Sequence, residues 1–398
     1  MIQSESDRQD WEPLLNEVIE FRKVLHAHPE LSWREHQTTE RIEAFLKKHG
    51  IQPLHRPTPT GGWVDLIFQS GKPFLLLRAD IDALPITDTK KVAYRSRNRG
   101  ICHACGHDAH TATMAAVAVL LTRMPRKPAC NVRVVFQPAE ETIPAGAPTL
   151  IEKGVLKDVK AALAMHVDPR IDLGTISLTP GWVNMQSVRL EVTFSGPGGH
   201  SARPYETADL IWLASRMVQE SYQMIYRRFN WLESPMVLTF TEIEAGEGYN
   251  IIPSRLKATA TLRLTSEQER ERFYQQFRQL LGELCAGQPA KADFSAREGA
   301  PPVINDIRLI ERLQKQLPET GLKLNVLTDF RSPGGDDFGY YARQVPGAMV
   351  RFGVRTGQSH PPLHTGDFDV PDALFQLSVP FFARQVLLLS QDDELLNG

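Results

Sequence analysis

The chain has 398 residues, 42% apolar and 23% charged, with a formal net charge of -2. That length exceeds what one core fills, so two domains are expected, and the charge leaves no electrostatic footprint for nucleic acid or an anionic membrane. No run of roughly 18 or more uncharged apolar residues is present, and the polar, acidic start MIQSESDRQDWEPLL lacks a basic-then-apolar leader pattern, so the cytoplasm is the expected location.

Apolar residues at Trp11, Leu14, Leu15, Val18, Ile19, Val24 and Leu25 predict an amphipathic helix that Pro29 stops, with HAHPE at its end. The runs WVDLIF, FLLLRA, NVRVVF and AALAM follow, with little alternation, as expected of strands buried on both faces. Between the second and third, HTATMAAVAVLLTRM reads as a buried helix. Strands alternating with helices predict an α/β domain with a largely parallel sheet, whose ligands sit beyond the strands' carboxyl ends. After SLTPGWVN the pattern changes. VRLEVTF and LKATATLRL alternate strictly, and with helices near Asp209–Tyr226 and Ser266–Leu284 they give a β-α-β-β-α order typical of a split α+β sandwich. The expected boundaries are residues 1–183 and 297–398 for the larger domain and 184–296 for one inserted into it. The first style resumes at LIERLQKQL and ends in a helix from Pro371 that Pro380 is expected to kink.

The densest chemistry lies in ICHACGHDAH, Ile101 to His110. Cys102 and Cys105 form a Cys-x-x-Cys, which in a cytosolic α/β protein is one redox signature. A closed structural zinc clip would need a second pair, and Cys130 and Cys285 stand alone. The third reading is a catalytic metal site: Cys105 and His107 alternate, so an extended loop would aim both at one ion, with His103, Asp108 and His110 within reach. Further candidates follow predicted strands: Glu140 and Glu141 in QPAEE, His166 in HVDP, and His360 and His364 in SHPPLHTGDFD. Each has a bland counterpart, respectively a solvated loop, a core histidine and a polar loop. Their shared position at strand ends favours a site, in which adjacent carboxylates can divide metal binding from proton transfer. In RADIDALPI, Asp80 and Asp82 point to one side, where a carboxylate can fix the tautomer of a ligating histidine; for Asp80 an Asx-turn before Pro85 is equally consistent.

Taken in order, LHAHPELSWRE, RADIDALPI, CHACGHDAHTA, FQPAEE, HVDP, GPGGHSARP, NIIPSRLKATATLRL, GGDDFGYY and LHTGDFDV resemble the amidohydrolase branch of the aminoacylase and carboxypeptidase superfamily, from about Phe21 to the C-terminal helix. That branch includes hippurate hydrolases, N-acyl-L-amino acid amidohydrolases and indole-acetyl-amino acid hydrolases. The resemblance implies a di-metal, zinc-exopeptidase-like α/β catalytic domain with an inserted ferredoxin-like α+β lid that often dimerises. It makes Cys105, His107, Glu141, His166 and His364 the metal ligands and Glu140 the general base, with Asp82 also in the catalytic set. His364 is preferred to His360 because the terminal ligand stands four residues before an aromatic and five before an aspartate, matching Phe368 and Asp369. His200 corresponds to the histidine that polarises the scissile carbonyl, and Asn250 and Arg263 to positions that contact the tetrahedral oxygen or a substrate carboxylate. Read without the resemblance, the last two are a turn amide and a solvated strand residue.

The implied reaction is hydrolysis of an N-acyl-amino acid by a metal-bridged hydroxide, with two divalent ions per subunit, zinc or manganese, or else cobalt or nickel. Alternatives are a dipeptidase or deacetylase of the same superfamily and a non-catalytic binder of acyl-amino acids. The expected partners are that small substrate and a second copy of the chain through the lid, with no nucleic acid and no membrane. Cys102 stands where the resemblance suggests an apolar residue, Asp88 where Glu is more usual, Tyr205 where a second histidine is usual, and Gly366 where proline is frequent.

Overall fold

FLLLRAD (Phe74–Asp80) and NVRVVFQ (Asn131–Gln137) form strands buried at every position, as their lack of polar alternation requires. The computed structural model describes residues 5–397. The two strands pair in parallel, and the parallel array continues through Val159–Asp172 to Gly347–Arg355. Gly62–Leu66 closes one edge antiparallel to Asn131–Gln137, and Thr175–Ser177 and Asn325–Leu327 extend the other, giving a seven-stranded sheet. These elements belong to one compact unit made of Met1–Val183, Ile304–Arg331 and Asp337–Gly398.

Helix His107–Arg123 is buried from its first residue to Leu121. Its alanines at 109, 112, 115, 116 and 118 are fully buried, and such small side chains let neighbouring elements approach closely. Against it pack the sheet, the first helix (Glu5–Ala27) and the helix Phe375–Leu389, which contains Pro380. The run Asp372–Leu389 is long and apolar enough to cross a membrane, yet 78% of it is buried within the protein. Its charged residues Asp372 and Arg384 and its packing mark it as a core helix.

The second unit comprises Asn184–Val303 and Ser332–Asp336. Strand Gln186–Ser195 buries Val188, Leu190, Val192 and Phe194 and turns the intervening side chains outward. Helix Leu210–Arg228, strands Met236–Ala245 and Arg255–Leu264, helix Glu267–Cys285 and strand Lys291–Glu298 follow. This β-α-β-β-α-β order forms one antiparallel four-stranded sheet, the ferredoxin-like arrangement. Asp209 and Ser266 cap the two helices, accepting from the backbone N–H groups of Trp212 and Glu269. Met236–Ala245 lies at one edge of the sheet.

Candidate active site

Three of the parallel strands deliver the chemistry. Asp80 ends one strand and Asp82 follows it, while Gln137 ends the next and leads through Pro138 and Ala139 to Glu140 and Glu141. His166 was expected in a loop after its strand, but Val159–Asp172 runs on past it. The neighbouring strand Phe74–Asp80 stops near that level, so His166 faces the same end of the sheet from within a strand. The expectation of an extended loop at Cys105–His107 also fails. Gly106 is left-handed (φ 84°) and His107 is the first helical residue, so a sharp turn, not β alternation, brings the two side chains together. A Cβ at Gly106 would lie 2.5 Å from Val167 Cγ2, which leaves room for glycine alone.

The candidate ligand atoms converge in overlapping sets. Atoms of Cys105, His107 and His166 lie within 4.8 Å of one another, as do those of Cys105, Glu141 and His364, and those of His107, Glu140 and Glu141. Cys105 Sγ stands 3.7 Å from His166 Nε2, and His364 Nε2 lies 3.4 Å from Glu141 Oε1. His364 is left-handed (φ 63°), and its N–H donates to the Ala104 carbonyl, which ties the last loop to the turn holding Cys105. His360 is not in these sets: its Nε2 donates to the Asp369 carbonyl and its ring packs on Phe368.

Second partners fix which nitrogen faces the cluster. His107 Nδ1 donates toward the backbone carbonyl and Oδ1 of Asp82 (3.0 and 3.1 Å), and His166 Nδ1 donates to the Val167 carbonyl. The Nε2 atoms of both rings are thereby turned inward, the arrangement metal-ligating histidines use. His110, within reach by sequence, has both nitrogens engaged, Nδ1 with Asp80 Oδ1 (2.7 Å) and Nε2 with the Val167 N–H (3.0 Å). Asp80 therefore serves His110 and Arg78 rather than an Asx-turn.

The pocket favours positive charge at its centre. Among the described residues, His107 Nε2 and Glu141 Oε1 are buried without a hydrogen-bond partner, 3.9 Å apart. Burial opposes charge on His107, but Asp80 and the neighbouring thiol and carboxylate outweigh it and hold the imidazole well above its ordinary pKa. Burial and the charge of Glu141 push the Cys105 thiol well up, so it ionises readily only against a cation. Burial and Arg351 push His166 well down, keeping it the neutral imidazole a metal takes. One thiol, three imidazoles and a carboxylate with orphaned atoms fit divalent ions.

Around the cluster lie supports whose partners the sequence did not reveal. Asp82 Oδ2 accepts from Ser32 Oγ (2.7 Å) and the Glu141 N–H (3.0 Å), and Glu140 Oε1 accepts from the Asp337 N–H (3.3 Å). Arg22, buried in the first helix, pairs with Asp108 and with Asp369 at 2.7 Å each, and Asp108 also binds His26. Asp108 is thus held away from the cluster as the partner of Arg22. His103 is buried, forced neutral, with its pKa pushed down to about 4 by burial, and joins no ligand set. Cys102 exchanges backbone hydrogen bonds with Leu84, and burial pushes its thiol up to about 11, the environment of an inert packing residue. Of these residues Asp82, Glu140, Asp108, His103, Cys102 and Asp369 were already singled out by sequence. Arg22 was not, and Ser32 carried no signal beyond its place in LHAHPELSWRE.

His200, Asn250 and Arg263 lie in the second unit. Gly199–His200 pairs with Ile251–Ile252, and the Ser201 N–H donates to the Asn250 carbonyl, so His200 and Asn250 are neighbours. The Ala202 N–H donates to His200 Nδ1 (3.1 Å), and Arg263 Nη1 donates to the Pro333 carbonyl (2.8 Å).

Residues 76–379 match the Peptidase family M20/M25/M40. The chain belongs to that family. An N-acetyl-L-cysteine deacetylase of Bacillus subtilis is 33% identical over 394 residues, 99% of this chain and 93% of its own length. An N-acyl-L-amino acid amidohydrolase of Geobacillus stearothermophilus is 32% identical over 289 residues, 73% of this chain and 78% of its own. A Rhodococcus jostii protein named as a glutamate–cysteine ligase is 35% identical over 356 residues, but the chain spans only 44% of that protein. Among solved structures, a dinuclear metal binding peptidase of the M20 family from Bacillus subtilis superposes with a TM-score of 0.84 at 29% identity, covering 96% of this chain and 99% of that one. Membership of the M20/M25/M40 family makes the chain a hydrolase with that family's mixed α/β fold.

Proposed function

We propose that the chain is a metal-dependent amidohydrolase that cleaves the amide bond of N-acyl-amino acids. The observation that carries this reading is the convergence of Cys105, His107, Glu141, His166 and His364 with Glu140 beside them. These five side chains would hold two divalent ions, zinc or manganese, which when bound polarise the substrate carbonyl and acidify the attacking water. Glu140, steadied by the Asp337 N–H, would take the proton from that water and return it to the departing amine nitrogen. Asp82 keeps the His107 proton on Nδ1 and so keeps Nε2 available to a metal.

The second unit would supply substrate contacts. Because His200 Nδ1 accepts from Ala202, its neutral ring carries the proton on Nε2, a donor suited to the oxygen of the scissile carbonyl. Asn250 would assist at the same oxygen. Arg263 spends one N–H group on Pro333 and would use others on the substrate carboxylate. Self-association through this unit is supported by its edge strand Met236–Ala245 and by exposed Trp212, Tyr222 and Tyr226 on the adjacent helix. Four free cysteines accord with a reducing, cytoplasmic setting.

The test is hydrolysis of a panel of N-acyl-amino acids and dipeptides by chelated protein refilled with zinc, manganese, cobalt or nickel. Amine release from the acylated substrates, lost by roughly two to four orders of magnitude in a metal-replete Glu140→Gln variant, is the expected result. Binding of the panel without amine release under any metal would instead identify a binding protein.

A further inference from the structure

Glu35 is fully buried at the start of helix His36–Lys48, and among the described residues no cation pairs with it. Such a carboxylate is costly to keep, and desolvation together with the charge of Asp82 pushes its pKa up to about 7. Its two oxygens are committed. Oε1 accepts from the Ala139 N–H and Oε2 from Thr60 Oγ1, both at 2.8 Å. Ala139 is left-handed (φ 54°), a conformation an L-residue adopts only under constraint, and it immediately precedes Glu140 and Glu141.

We propose that Glu35 is a positioning residue for the reaction, whose side chain holds Ala139 in the left-handed turn that brings Glu140 and Glu141 to the cluster together. The role rests on the assignment of Glu140 as base and Glu141 as ligand given above. The turn is anchored from every side. Ala139 gives its N–H to Glu35 and receives the Gly146 N–H at its carbonyl (2.9 Å). Two residues on, Glu141 gives its N–H to Asp82. The Glu35 carbonyl accepts from Thr39 Oγ1, which in turn accepts from the Gly61 N–H, and a Cβ on Gly61 would stand 2.5 Å from Pro138 Cδ. Helix start, the 60–61 corner and the Pro138–Ala139 turn therefore lock together, and Glu35 is the part that reaches the strained residue. Without it, Ala139 can relax toward ordinary φ, which would swing both carboxylates.

The experiment measures kcat, KM and backbone amide exchange over residues 137–142 for metal-replete Glu35→Ala, Glu35→Asp and Glu35→Gln, with Glu140→Gln in parallel. Glu35→Ala is expected to lower kcat by roughly 10- to 100-fold with little change in KM, because a misplaced base slows chemistry more than binding. Glu35→Gln, whose amide oxygen still accepts from Ala139, should recover most of the rate and keep amide exchange slow. Glu35→Asp, one methylene shorter, should match the alanine variant in rate and speed exchange in 137–142. Rates within about twofold of wild type for Glu35→Asp, or a Glu35→Gln protein as impaired as Glu35→Asp, overturn the proposal, and this pair decides it even if Glu35→Ala does not fold. An active Glu140→Gln protein would remove the base assignment instead, and the exchange measurement still reads whether Glu35 holds the turn.

Discussion

Replacing Asp82 by asparagine keeps its shape and removes one acceptor oxygen, and the geometry says where this is felt. Oδ2 accepts from Ser32 Oγ and the Glu141 N–H, while Oδ1 receives His107 Nδ1. A new amide NH2 at the Oδ2 position would face the fixed N–H of Glu141, donor against donor. Placed at Oδ1 it faces His107, whose ring then moves its proton to Nε2, the atom aimed into the cluster. A hydrogen bond with one ionised partner contributes about 1.5 to 3 kcal/mol, which corresponds to roughly a ten- to hundredfold loss of metal affinity. Competition of the purified protein against a chromophoric chelator measures it, with turnover regained in part as free metal rises. Ser32→Ala leaves both oxygens able to accept and is expected to shift affinity far less. Asp82→Asn protein binding metal within about twofold of wild type would refute the coupling of Asp82 to His107.

Three further outcomes are expected. A Cβ at position 366 would lie 2.1 Å from the Thr87 carbonyl oxygen, and Thr89 donates to the Gly366 carbonyl, so Gly366→Ala should destabilise the fold by about 1 to 3 kcal/mol and slow turnover through His364; thermal unfolding and kcat together check this. The Glu35 carboxyl titrates near 7 in the folded chain against an ordinary 4.5, so the folded state binds the extra proton and stability falls as pH rises between those values. Glu35→Gln should therefore gain on wild type through that window, by about 3 kcal/mol at its upper end, read from urea midpoints across the range. Cys102→Ala should keep wild-type turnover in both reducing and oxidising buffer, and a loss confined to the variant would restore the redox reading of the Cys-x-x-Cys.

The buried strands were legible because uninterrupted apolar runs have few other uses, and the second unit announced itself through strict alternation. The convergence of Cys105 with His107 was legible as a pairing but not as a geometry. Periodicity suggested an extended loop, whereas one left-handed glycine and a helix start achieve the same convergence. His166 was misplaced because AALAM and HVDP read as strand and loop, while the pairing with Gly347–Arg355 carries the strand through. Glu35 and Arg22 escaped for a shared reason, since a polar residue on a helix or its cap looks solvated until distant chain covers it, and Ser32 in the turn between the two helices looks solvated likewise.

Arg22 in the first helix grips Asp369, five residues beyond His364, across 347 positions of sequence. The cluster thus draws on a clasp between segments that lie on either side of the second unit in sequence. Cys105, His107, Glu141 and His166 come from before that unit and His364 from after it, so the last imidazole joins the others only when distant parts of the sequence have been brought together.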